Sequence, residues 1–192
     1  MLDNKQLILA SNSPRRREIL KGAGFDFEVI ISDFEEKDVA LSPIETAINN
    51  ALGKAQATFD NLGNKNAVVL GADTVVFYNN TLLGKPKDSE DAVKMLKTLS
   101  GNTHTVVTGY AIITQNGTLS GFSESKVTFN KLKKEQIDKY VKSGKPLDKA
   151  GAYGIQDGYD LVKNFEGSLN NVIGLPIEQI APILKEKMKE AI

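Results

Sequence analysis

Three arginines follow a serine and a proline in the segment Ser11-Asn12-Ser13-Pro14-Arg15-Arg16-Arg17. Serine is a preferred helix N-cap and proline suits the first helical position, so the spacing places all three cations in the first turn of a helix. That end of a helix is already partly positive, and each cation there is unfavourable by roughly 0.3–1 kcal/mol. An anion reverses the sign. Free backbone N–H groups, serine hydroxyls and guanidinium forks together form a phosphate cradle, with Arg15 and Arg16 offering bidentate geometry to phosphate oxygens. The plainer alternative is a solvated basic turn that pairs with Glu18 or another carboxylate.

Asp73 follows the apolar run Ala67-Val68-Val69-Leu70 and a glycine. A carboxylate there needs a metal, a cation or hydrogen-bond donors to stay charged. It can hold Mg²⁺ or activate water, or it can be a turn aspartate bonded to its own backbone. Glu35 and Glu36, just past the second apolar run, can supply a further carboxylate or form a solvated acidic turn. Lys54 and Lys85, the latter in Gly84-Lys85-Pro86-Lys87, can place ammonium groups on a polyphosphate; each by itself is also an ordinary surface charge. Gln156 follows the small-residue run Ala150-Gly151-Ala152, where backbone can approach a ligand closely. Its amide carries a donor and an acceptor, matching the N3–H and O4 edge of uracil or thymine.

The elements that must position these groups can be read from periodicity and caps. Leu7-Ile8-Leu9-Ala10 is a strand leading into the arginine helix, and Phe27-Glu28-Val29-Ile30-Ile31 is a second strand. Ser42-Pro43-Ile44-Glu45 combines an N-cap, a first-turn proline and a capping-box glutamate. The long helix it starts has an apolar stripe of Ile44, Ala47, Ile48, Ala51, Leu52, Ala55 and Phe59, which leaves Lys54 near the edge of that face. Two β-rich runs, 67–70 and 75–78, flank Gly71-Ala72-Asp73-Thr74, and Asn79-Asn80 is a two-residue hairpin turn. Ser89 caps a helix over Ala92, Met95, Leu96 and Leu99 that stops at Gly101. Long antiparallel strands over 103–114 and 118–129 flank Asn116-Gly117, and helices follow over 133–142 and from Pro176 onward. The hairpins rule out a purely parallel doubly wound sheet, so the pattern predicts an α/β fold with a mixed β-sheet flanked by helices.

Composition narrows the chemistry. The 192 residues, 41% of them hydrophobic, suit one compact soluble domain over 1–192. Twenty-four basic and twenty-four acidic residues leave no global field to attract nucleic acid or a membrane. With no cysteine there is no thiol catalysis, disulfide framework or Cys zinc site, and His104, the only histidine, cannot build a two-histidine zinc site within one chain. His104 is read as a strand residue satisfying local hydrogen bonds. Neither the P-loop nor the Gly-x-Gly-x-x-Gly fingerprint occurs. The N-terminus shows no secretory pattern, and no apolar stretch approaches the roughly 20 residues needed to span a bilayer. A cytoplasmic location is the expectation.

Taken in order, Leu9-Ala10-Ser11-Asn12-Ser13-Pro14-Arg15-Arg16, Lys54-Ala55, Gly71-Ala72-Asp73-Thr74-Val75-Val76 and Leu83-Gly84-Lys85-Pro86 resemble the signature of the Maf family. The likeness continues through Leu99-Ser100-Gly101 with His104, Val106 and Thr108-Gly109, through Asp148-Lys149-Ala150-Gly151-Ala152-Tyr153-Gly154-Ile155-Gln156, and from Gly167-Ser168 through Val172 to Gly174-Leu175-Pro176. It spans nearly the whole chain.

The resemblance implies two lobes around a deep cleft, similar to the inosine triphosphate pyrophosphatase fold, and hydrolysis between the α and β phosphates of a nucleoside triphosphate with Mg²⁺ or Mn²⁺. Asp73 matches the catalytic aspartate. Ser11, Arg15, Arg16, Lys54 and Lys85 match phosphate-side positions, and Glu36 matches a second acidic position that shares the metal with Asp73. Arg15, Thr74 and Gln156 match positions associated with substrate choice. Ser-Pro-Arg-Arg and Gly-Ala-Tyr-Gly-Ile-Gln resemble the pyrimidine triphosphate subgroup, with dTTP, UTP and modified pyrimidine analogues as substrates. A 7-methylguanosine triphosphate subgroup, which carries a bulky residue in place of Arg15, is the alternative, and a non-catalytic nucleotide-binding regulator of septum formation is another. The resemblance also implies removal of non-standard pyrimidine triphosphates with a link to arrest of cell division, and a homodimer. The stretch 157–160 is less typical of the family and is expected to alter the cleft rim.

Overall fold

The computed structural model describes residues 5–36, 42–63 and 65–189. The opening residues 1–4, read above for a secretory pattern, lie outside the described residues. In chain order the elements are β1 (Gln6–Leu9), α1 (Pro14–Gly22), β2 (Glu28–Val29), α2 (Pro43–Asp60), β3 (Ala67–Tyr78), β4 (Thr81–Leu83), α3 (Ser89–Leu99), β5 (Thr103–Thr114), β6 (Gly117–Phe129), α4 (Lys134–Lys142), β7 (Val162–Glu166), α5 (Leu169–Ile173) and α6 (Ile177–Lys187), with 3-10 turns at Lys145–Asp148 and Ala150–Ala152.

The sheet runs β2-β1-β3-β5-β6-β7, with β4 also on β3. β1 is parallel to both neighbours and every other pair is antiparallel, which is the mixed sheet that the hairpins require. The two β-rich runs and the 71–74 stretch between them form one continuous strand that contains Asp73, because β5 pairs with it from Val69↔Ile113 to Phe77↔Thr105. Its other edge is interrupted. β1 covers it up to Leu9↔Leu70 and β4 from Val76↔Leu83 onward, so no described strand pairs with residues 71–75 on that edge. Asp73 and Thr74 lie in this gap.

Asn79 and Asn80 both take positive φ, 47° and 59°, as a tight hairpin requires. The β5–β6 hairpin differs from the expected Asn116-Gly117 loop. Its loop is residues 115 and 116, and Gly117, at φ 143°, already begins β6 and pairs with Thr114. The second strand is shorter than expected: only Glu28–Val29 pairs, because β1 ends opposite Val29 at Leu9. The α3 cap is Asp88 in place of Ser89; its carboxylate accepts from Asp91 N at 2.8 Å, and a charged acceptor there also suits the helix dipole. The Ser42/Glu45 capping box on α2 is present as read.

Two apolar clusters sit toward opposite ends of the long strands. One gathers Leu70 and Ile112 with Leu20 of α1 and Leu184 of α6. The other gathers Val76 and Val106 with Leu96 of α3 and Tyr140 of α4. The strand gap falls between them.

On one face, α2 lies directly on the sheet because the sheet offers glycines there. A Cβ on Gly71 would meet the Ala51 carbonyl oxygen at 2.4 Å, and one on Gly109 would meet Ala47 backbone at 2.4 Å. A Cβ on Gly53 of α2 would meet the Phe34 ring at 2.2 Å, so the 31–36 segment is seated on the same helix. These close approaches set the distances in the site. They also turn Lys54 inward: the lysine expected near the edge of the helix face is 8% exposed, together with buried Asn50.

Candidate functional site

A cleft of about 440 Å³ opens at the strand gap. Nine of the residues singled out from the sequence line it: Asp73, Thr74 and Lys54 at the gap, Ser11, Arg15 and Arg16 from the β1–α1 corner, and Glu36, Lys85 and Gln156 from loops. Glu35 does not line it.

Asp73 faces α2 and is 6% exposed. Its two oxygens have separate donors: Lys54 Nζ at 2.7 Å from Oδ1 and Asn50 Nδ2 at 3.1 Å from Oδ2. The same ammonium lies 2.6 Å from Glu36 Oε1. Burial pushes the Glu36 carboxyl up, but Lys54, with help from Lys85 and Arg16, outweighs it and holds the carboxyl below its ordinary value. Asn50 was not anticipated. The available signal was its spacing of one helical turn before Lys54, which puts both on one face.

Thr74, the next residue on β3, faces the opposite side of the sheet from Asp73. Arg16 reaches it from α1, donating from Nη2 to Thr74 Oγ1 at 3.1 Å, from Nη1 to Ser11 Oγ at 3.2 Å and from Nε to the Gly174 carbonyl at 2.8 Å. Ser13 caps α1 as read, accepting from Arg16 N, with Pro14 at its first position. Burial lowers the pKa of Arg16, opposed by the through-space attraction of Asp73 and Glu36. The three arginines therefore part company. Arg16 turns into the cleft, Arg15 pairs with Asp148 across the rim at 2.7 Å, and Arg17 is exposed.

Asp148 also accepts from Lys149 Nζ at 2.7 Å. Burial pushes its carboxyl up, while Lys149 and Arg15 together bring it below its usual value. Lys149 is buried and also faces Asp157 at 3.5 Å. Asp157 accepts from Tyr140 Oη at 2.5 Å, and that hydroxyl accepts from Gly154 N at 2.9 Å. This network anchors the loop that carries Gln156. Residues 157–160 do not themselves line the cleft; Asp157 is turned inward to Tyr140 and to Lys149, which does line it. His104 is a buried strand residue bonded to Tyr153 Oη at 2.7 Å, and Tyr153 in turn lines the cleft.

The donor set suits a hard divalent cation that shares its shell with a substrate. Two carboxylates, Glu36 and Asp73, already bracket one cation, the Lys54 ammonium. Among the described residues no cluster of three or more His, Asp or Glu groups converges. A magnesium ion is commonly held by one or two carboxylates plus substrate phosphates, so the pair fits it without a full protein cage.

The cleft thus sets a buried carboxylate on one side of a gap in a mixed sheet and a guanidinium on the other. A family model described as Maf-like protein matches residues 6–187, and the chain belongs to that family. The chain is 46% identical over 184 residues to a dTTP/UTP pyrophosphatase of Bacillus cereus (strain G9842), covering 95% of each chain. Identity and coverage are the same for a dTTP/UTP pyrophosphatase of Bacillus anthracis. A solved nucleoside-triphosphatase, dITP/XTP pyrophosphatase, from Mycobacterium abscessus aligns over 94% of this chain and 97% of its own at 14% identity. Its TM-score of 0.47 is too loose a superposition to support an inference. Among the described residues no helix is long and apolar enough to cross a membrane.

Proposed function

We propose that this chain hydrolyses pyrimidine nucleoside triphosphates, dTTP, UTP and modified analogues, to the monophosphate and pyrophosphate. The observation that carries the reading is the arrangement at the strand gap: Asp73 and Glu36 share Lys54 in a cleft that Arg16 enters from the opposite face of β3. The dTTP/UTP pyrophosphatase names of the relatives agree with it.

A water oxygen attacks the α-phosphorus in line, the bond to the α–β bridging oxygen breaks, and pyrophosphate leaves with that electron pair. Asp73 and Glu36 would hold Mg²⁺ or Mn²⁺, which polarises the α-phosphoryl group and lowers the pKa of the attacking water. Arg15, Arg16 and Lys85 neutralise the phosphates and the developing charge on the leaving group, and Ser11 steadies Arg16. Lys54 lies between the two carboxylates and must yield to, or share with, the cation and substrate phosphates. Gln156, on its anchored loop, and Thr74 are the positions that the resemblance associates with substrate choice. The resemblance further assigns this activity to clearance of non-standard pyrimidine triphosphates, with a link to division arrest, in a cytoplasmic homodimer acting as a single domain.

The test is pyrophosphate release from dTTP, UTP, CTP, dATP, GTP and 7-methyl-GTP, with Mg²⁺ or Mn²⁺ and a chelated control. Release confined to dTTP and UTP and abolished by chelation is expected. Preference for 7-methyl-GTP would overturn the pyrimidine assignment, and release from none would point to the binding regulator.

A further inference from the structure

Arg16 is held by neutral acceptors. Its described hydrogen bonds go to Gly174 O, Ser11 Oγ and Thr74 Oγ1, and none goes to a carboxylate. These use three of the five guanidinium hydrogens, leaving one on each Nη for a ligand.

Behind Thr74 runs a chain of hydrogen bonds whose direction is determined. Thr74 and Thr108 are directly opposed on β3 and β5, with their hydroxyls 2.9 Å apart. Thr108 Oγ1 donates to the Asn171 carbonyl at 2.9 Å. A hydroxyl has one hydrogen, so Thr74 must donate to Thr108 and cannot donate to the cleft. Its lone pairs are left for Arg16. The far end is equally fixed. Asn171 Oδ1 accepts from Thr108 N at 3.1 Å, and its Nδ2 donates to Val106 O at 3.1 Å and to Ser125 Oγ at 2.9 Å. A backbone N–H at one end and a backbone carbonyl at the other permit only one orientation of that amide. Thr108 and Asn171 are both 0% exposed, and neither lines the cleft.

We propose that Thr108 and Asn171 are positioning residues: the relay Asn171–Thr108–Thr74 fixes the Arg16 guanidinium as a preset seat for polyphosphate oxygens. Each member polarises the next, so the relay acts as a unit. The inference rests on the cleft receiving a phosphorylated ligand, as in the function proposed above, but it does not depend on turnover.

Thr108→Val keeps the shape and removes the hydroxyl, whereas Thr108→Ser keeps the relay. Affinity for inorganic tripolyphosphate is measured by calorimetry without divalent metal, and KM and kcat for dTTP are measured in parallel, on variants whose far-UV circular dichroism matches the parent. With Thr108→Val the tripolyphosphate Kd and the KM both rise about tenfold, the scale of one displaced hydrogen bond to a charged group, and kcat falls by up to the same factor because Arg16 also meets the developing charge on the leaving group. Thr108→Ser stays near the parent. If Thr108→Val does not fold, Thr108→Cys, of similar size with a weak donor, carries the same test. Unchanged tripolyphosphate affinity in the valine variant overturns the proposal, as does a fall in kcat alone. A tenfold loss of tripolyphosphate binding in a chain that turns over no nucleotide would uphold the positioning role while removing the enzymatic reading.

Discussion

Lys54 Nζ lies 2.7 Å from Asp73 Oδ1, with only 10% and 8% of the two side chains exposed. A buried ion pair of this kind is a poor source of net stability, since desolvation offsets most of the attraction, but removing one partner is costly. Glu36 sharpens the case, because it draws on the same ammonium from the other side. On the proposed function, Lys54 is the resident cation that an incoming one displaces or joins.

Replacing Lys54 with Met leaves Asp73 and Glu36 without their common cation. Folding stability should fall by roughly 3–5 kcal/mol, as for other broken buried pairs. Turnover should be lost, and added Mg²⁺ should raise the melting temperature more in the variant than in the parent. Thermal unfolding with and without Mg²⁺ checks this; equal Mg²⁺ shifts in both proteins would count against the carboxylates as the metal seat.

Gly109→Ala tests how α2 delivers Lys54 and Asn50. The added methyl would meet Ala47 backbone at 2.4 Å, and backbone cannot move aside as a side-chain tip can. Overpacking of this kind costs roughly 1–3 kcal/mol. Denaturant midpoints should show that loss and kcat should drop with it; a folded variant with parental kcat would show that the close approach of α2 is not needed.

Asp148→Asn removes the negative charge that pairs with Arg15 at the rim. If Asp148 competes with substrate phosphate for that guanidinium, KM should fall by a factor of roughly 2–5, the worth of an exposed ion pair. Steady-state kinetics decides it: a rise in KM would mean that the bridge orders the cleft instead of competing for it.

His104 gives a pH signature. Burial lowers its pKa from 6.5 to about 4, so the unfolded chain takes up a proton over that interval while the folded one does not. Stability attributable to this group is intact above pH 6.5, declines as the pH falls towards 4 and levels off below, a change of roughly 3 kcal/mol. Stability curves of the parent and of His104→Gln should diverge in this window; parallel curves would contradict it.

The sequence made the α1 corner and the β5–β6 ribbon legible, because Ser13-Pro14 is a cap and strand partners were adjacent in the chain. Motif order, a signal carried by several separated blocks at once, singled out nine candidate residues that all line one cleft. It could not place Lys54 on the buried face, since the hydrophobic stripe of α2 counts a lysine as polar and the glycines that draw the helix inward sit on other elements. β7 and α5 were missed for related reasons: β7 reads Val-Lys-Asn-Phe-Glu on an edge, and α5 has only five residues. Asn171, at the root of the Arg16 relay, belongs to that short helix and touches partners 46 to 65 residues away in the chain, beyond the reach of local pattern.

The most direct test of the central claim is hydrolysis of dTTP in H₂¹⁸O with mass analysis of both products. Attack at the α-phosphorus predicts one ¹⁸O in the thymidine monophosphate, none in the pyrophosphate, and no hydrolysis when Asp73 is replaced by Asn. Label in the pyrophosphate, release of inorganic phosphate as the first product, or undiminished turnover by the Asp73→Asn variant would contradict it.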